Sequence, residues 1–157
     1  MSFLIGFSGH IHLRQSDYQW QVRLLQEIFE ELLLKFGKCH CMVGNALGAD
    51  KICIEVLNQL KISYEILDTN QDYEINGQLI ASKAQCLIVL WDGVENNKKG
   101  GTSDIVRQFR QKAKLIKDKL RYYQIISQRE NGEKPAANYI NSEKVETHRH
   151  HIMEVLY

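Results

Sequence analysis

The chain is short of several things that would announce a role. Charge is not biased: 20 lysines and arginines stand against 19 aspartates and glutamates, a net charge of +1. That balance gives no electrostatic footprint for a nucleic-acid binder. No apolar run approaches the roughly 20 residues a membrane span needs. The apolar start, Met1-Ser2-Phe3-Leu4-Ile5, meets Gly6 and then polar residues, unlike a secretory signal. The only proline is Pro135. Neither G-K-[ST] nor G-x-G-x-x-G occurs, so a Walker loop and a dinucleotide fingerprint are both missing and no resident cofactor is expected. There is no internal repeat.

Cysteine is scarce and placed for packing. Cys39, Cys41, Cys53 and Cys86 all lie inside apolar segments. They read as small core residues of a reducing, cytoplasmic compartment. Cys39-His40-Cys41 has the look of a ligand pair, yet on a strand both sulfurs point to one buried face. No second pair stands at ligand spacing, so no metal is expected. His148-Arg149-His150-His151 reads as a solvated tail for the same want of partners.

What is present is an alternation of strands and helices. Phe3–Ser8, Cys39–Val43, Ser63–Leu67, Gln85–Trp91 and Tyr122–Ser127 read as strands. Between them, helices are expected after a Ser16–Gln19 capping box, over about Asp50–Leu60, Asn76–Lys83, and Thr102 to about Lys119. The pattern predicts an α/β domain: an open, mainly parallel Rossmann-like sheet with helices on both faces, three layers in all. Cys86–Trp91, apolar throughout, suits a strand covered on both sides. The domain is expected over residues 1–127. Residues 128–157 form a C-terminal addition: a linker through Arg129–Pro135, then a possible terminal helix over Asn141–Tyr157.

Three glycine turns follow strands and precede helices: Gly6–His10, Gly44–Asp50 and Gly93–Thr102. All three fall on one edge of a parallel sheet. With strand order 3-2-1-4-5, the winding reverses between strands one and four, and ligands bind at such a reversal. Gly100-Gly101-Thr102-Ser103-Asp104 would offer backbone amides and the positive end of a helix dipole to an anion, a phosphate first of all. The long turn after Trp91 is then expected to be shaped by that ligand.

"GFSGHIHL" (6–13), "VGNALGADKICIEVL" (43–57) and "ASKAQCLIVLWDGVENNKKGGTSDIV" (81–106) together resemble the SLOG superfamily. These Rossmann-like domains include DprA/Smf proteins, LOG phosphoribohydrolases and many small bacterial proteins. The resemblance covers about residues 3–127 and implies a nucleotide or nucleotide-derived ligand. It implies Gly6, Ser8, Gly9 and His10 in the first loop, and Gly44, Gly48 and Asp50 in the second. Asp92, Gly93, Gly100, Gly101 and Thr102 make the third. Two positions depart from the pattern. Ile11 stands where relatives with a G-H-R turn carry a phosphate-clamping arginine. Ile105 stands where the LOG enzymes place their glutamate, and no proline precedes Gly100.

Three functional readings follow. The preferred one is binding of a phosphorylated nucleotide-type ligand, as a sensor whose Glu95–Gly101 loop rearranges to signal a partner. The second is hydrolysis of a nucleotide's N-glycosidic bond, with Asp92 or Asp104 assisting as catalytic carboxylates. The weakest is single-stranded DNA binding of the DprA kind. A homo-oligomer is left open. Each polar residue also has a plain structural use: Asp50 as a helix N-cap, Asp92 tying its own turn, Asp104 complementing a helix dipole. His10 and His12 could meet phosphate or act as acid and base, or simply sit on a loop.

Overall fold

A computed structural model describes residues 1–67, 72–116, 119–130 and 152–157. Six strands form one sheet: β1 (Phe3–Gly9), β2 (Cys39–Val43), β3 (Ser63–Ile66), β4 (Cys86–Trp91), β5 (Arg121–Ile126) and β6 (Ile152–Leu156). Four helices connect them: α1 (Tyr18–Phe36), α2 (Ala49–Gln59), α3 (Tyr73–Lys83) and α4 (Thr102–Leu115). The spatial order is β3-β2-β1-β4-β5-β6. All pairs are parallel except β5 with β6. The expected order of the first five strands is therefore the observed one, and the fold is α/β, Rossmann-like and three-layered. Among the described residues no helix is long and apolar enough to cross a membrane.

Strand alternation sorts the core into two layers. Cys86, Ile88 and Leu90 of β4 pack with Leu24, Ile28 of α1 and Val56, Leu57 of α2. Their neighbours Leu87, Val89 and Trp91 pack with Ile80 of α3 and Phe109 of α4. β4 is buried along its whole length, which is why it reads as an unbroken apolar run. Cys39 and Cys41 do share one buried face, toward α1 and α2, and all four thiols are free.

Two local expectations need correction. The Ser16–Gln19 capping box does not form: the chain enters α1 through a 3₁₀ turn over Gln15–Asp17, and α1 starts at Tyr18. Asp17 is held there by Trp20 Nε1–H at 3.2 Å and faces Arg14 at 3.7 Å. The second concerns the C-terminus. Ile152–Leu156, expected in a terminal helix, is a strand on the open side of β5. Its apolar residues serve alternate faces, Ile152 toward the α1–α2 layer and Met153 and Val155 toward the other. That is the two-residue period of a strand. The unpaired edge of β5 supplies the partner that a sequence reading could not weigh. Residues 141–151, with the histidine cluster, lie outside the described residues, as does the linker beyond Glu130.

Candidate functional site

At the carboxyl ends of β1, β2 and β3, beside the start of α4, lies a cleft of about 670 Å³ with the open solvent at its mouth included. Of the residues expected at the ligand, it brings together Ser8, Gly9, Gly44, Asp50, Gly100, Gly101 and Thr102. Phe7, Ile11, Leu67, Ile80 and Ile105 give it an apolar lining. A second, adjoining hollow shares Gly9, Ile11, Gly101 and Thr102 with the first. It adds His10, His12, Asn96, Lys98 and Arg129. The site thus has an apolar chamber and a basic one, with Gly101-Thr102 on the ridge between them.

That ridge is the start of α4. Ile105 is the first residue whose amide bonds back into the helix, to Gly101 O at 3.0 Å. The preceding amides have no helical acceptor, as at any helix start. Gly101 is the N-cap and contributes no side chain. Across the ridge, the hydroxyls of Ser8 and Thr102 share a hydrogen bond of 2.7 Å, which ties the end of β1 to the start of α4.

The glycines divide by what a Cβ would strike. At Gly6 it would come within 2.7 Å of Ile80, so this residue makes room for α3 and lines no part of the cleft. At Gly9 it would strike Ala49 and the Leu90 carbonyl. Gly48, at φ 76°, lies against the Ile11 carbonyl, and Gly100, at φ 79°, against the start of α3. Gly93, at φ 82°, makes the turn after β4 and stands off the cleft. Gly101 is different. Its φ is −79° and its ψ 172°, open to any residue, and no atom lies within 4 Å of where a Cβ would stand. Neither strain nor crowding inside the protein calls for glycine there.

The carboxylates separate just as clearly. Asp104 is buried, and its oxygens accept from the Gly100 amide at 2.9 Å, Arg107 at 3.0 Å and Gln108 at 3.1 Å. Asp92 is buried too. Its carboxylate accepts the Val94 amide at 2.9 Å and meets Arg129 at 3.2 Å and the His10 ring at 3.5 Å. Burial would push its pKa up, but the His10 ring, the Val94 amide and Arg129 outweigh that and hold it below the usual carboxylate value. Both acids are engaged in holding the turn before α4, and neither lines the apolar chamber. His10 is likewise committed: its Nε2 stands 2.9 Å from the Asp92 amide and 3.5 Å from the Asp92 carboxylate.

Asp50 is the carboxylate that does face the chamber. The N-cap of α2 is Gly48, so Asp50 sits in the first turn rather than at the cap. Its side chain folds back to accept the Ala46 amide at 3.1 Å, over Gly44, where any Cβ would lie 2.7 Å from Oδ2. Among the described residues it has no ion-pair partner. Burial raises its pKa to about 6, against a small opposing pull from the Ala46 amide.

The long turn after β4 carries a hydrogen-bond network of its own. Asn96 is its hub: its amide donates to Ser103 Oγ at 3.1 Å, and its carbonyl accepts from Arg107 at 2.7 Å. Its side-chain oxygen takes the Lys98 amide at 3.0 Å.

Sequence reasoning missed a whole wall. Tyr73, Asn76 and Gly77 of α3 line the chamber, and Gly77 lets α4 come close, a Cβ there standing 3.0 Å from Ile105. It also missed Arg129. The bridge between Leu13 and Arg129, with Glu130 N donating to His12 O at 3.0 Å, lays this part of the expected linker beside the loop after β1. A guanidinium thus enters the basic hollow where Ile11 supplies none. Among the described residues no group of three His, Cys, Asp or Glu is placed to hold a metal ion. No protein-family model, no curated protein and no solved structure matches the chain.

Proposed function

We propose that the chain binds a nucleotide, or a phosphorylated derivative of one, at the carboxyl edge of its sheet. The phosphate sits at the start of α4, beside Thr102, with Lys98 and Arg129 as counter-charges. The nucleoside lies in the apolar chamber, where Asp50 accepts a hydrogen bond from a ribose hydroxyl. The observation that carries the reading is Gly101, a glycine with ordinary backbone angles and empty space where its side chain would be. Glycine at a helix start, lining the cleft, is what close approach of an anion to backbone amides requires. The likeness of the three turns to SLOG domains points the same way. In the sensor version, the signal would travel through the Asn96 contacts that join the 95–100 turn to α4.

Thermal-shift titration against nucleoside mono- and diphosphates, ADP-ribose and cyclic nucleotides tests it. At least one should raise the melting temperature in a concentration-dependent way. Gly101→Val should abolish that shift while leaving the unliganded melting temperature nearly unchanged. Stabilisation by no member of the panel, or an equal shift in the variant, would refute the reading.

A second reading, cleavage of the N-glycosidic bond, is favoured by one observation. A buried carboxyl with raised pKa, Asp50, faces the same chamber. In that version Asp50, rather than Asp92 or Asp104, assists departure of the base. Release of free base from a nucleoside monophosphate, lost in Asp50→Asn, is its test.

A further inference from the structure

A second pocket lies on the other side of the loop after β1, between the start of α1 and the start of α2. It shares Ile11 alone with the apolar chamber. Leu13 and Ile52 give it apolar walls, and Lys51 and Glu55 stand at α2. The Tyr18 hydroxyl donates to Glu55.

Gln21 belongs to this pocket's lining and is fully buried. Among the described residues, neither its Oε1 nor its Nε2 has a hydrogen-bond partner. Leaving a carboxamide dry and unpaired is costly, and native proteins rarely do it without a reason. The neighbouring buried positions of α1 show what packing alone would select: Leu24, Leu25, Ile28 and Phe29. A leucine or methionine at position 21 would bury as well and leave nothing unpaired. A carboxamide presents one donor beside one acceptor in a plane. Its complement is a group with an acceptor beside a donor.

We infer that this pocket is a binding site for a small molecule bearing an amide-type edge, read by two hydrogen bonds to Gln21. Such an edge comes from a nucleobase or from a primary carboxamide. The site is independent of the nucleotide reading above, since a different cleft and different residues carry it.

The test follows the side-chain amide protons of Gln21 by NMR in the full-length chain, with adenosine, uridine, nicotinamide and glutamine as probes. At least one probe should shift that signal saturably. A response to the nucleosides alone identifies a nucleobase, and a response to nicotinamide or glutamine identifies a carboxamide. Gln21→Met, which keeps the buried volume and removes both polar atoms, should weaken the responding probe at least about tenfold. Its melting temperature should match or exceed that of the parent, which separates lost recognition from lost folding. Thr102→Val, in the other cleft, should leave the response intact. Silence from all four probes, or equal affinity in Gln21→Met, would overturn the proposal and leave Gln21 to be satisfied by water.

Discussion

The turn before α2 and the turn before α4 run from neighbouring regions of one sheet edge, through glycine, into helices whose first turns carry an aspartate. In sequence they are near equivalents, G-A-D and G-T-S-D. In space their aspartates have opposite circumstances. Asp104 accepts three hydrogen bonds and is spent on holding Gly100 in place. Asp50 accepts one, lacks a cationic partner among the described residues, and faces the cleft. The glycines are reversed: Gly48 is wedged against a carbonyl, while Gly101 borders open space. So the α2 turn supplies a cleft-facing carboxyl on a crowded backbone. The α4 turn supplies a free backbone held by spent side chains.

Substitutions can break this contrast. The largest effect is expected at Gly48→Ala, where positive φ combines with a Cβ 2.1 Å from the Ile11 carbonyl. It should cost about 4 kcal/mol in chemical denaturation. Gly101→Ala should cost less than about 1 kcal/mol. Similar costs at both sites would remove the distinction.

Next comes pH. The folded protein holds the Asp50 proton up to about pH 6, whereas the free side chain releases it near 3.8. The contribution of Asp50 is therefore most favourable below 3.8 and is lost as pH rises through 6. Asp50→Asn does not titrate. Relative to it, the parent should lose roughly 3 kcal/mol between pH 3.5 and 7. Parallel stability curves for the two proteins would show that Asp50 is not buried as described.

The smallest of the three is Asp104→Ala, at about 2 kcal/mol by urea denaturation, because three donors lose their acceptor but Arg107 keeps access to water. The variant should also speed hydrogen exchange at the Gly100 amide. Unchanged exchange there would mean that the turn is held by something else.

How much of this was readable beforehand depends on the range of the interactions. The five strands were legible from their apolar runs, a local signal, whereas their order was assumed as that of an open parallel sheet. The glycines were correctly located, but not what each was for. Gly6 serves α3, Gly48 serves the loop after β1, and only folding shows which atoms crowd them. Asp92 and Asp104 looked available because their partners, Arg129 and Gly100 among them, cannot be identified from spacing. The α3 wall escaped notice because Tyr73, Asn76 and Gly77 follow no apolar stripe that marks a functional face. Strand β6 escaped because its pairing depends on β5, some 30 residues away in sequence.

That last strand has a consequence for how copies of the protein meet. With β6 laid along β5, one margin of the sheet ends in a strand the chain itself contributes, and β3, only four residues long, borders the other. Deleting Ile152–Leu156 would bare the backbone of β5 together with the flanks of Tyr122, Tyr123 and Ile125, a surface ready to recruit a strand from another molecule.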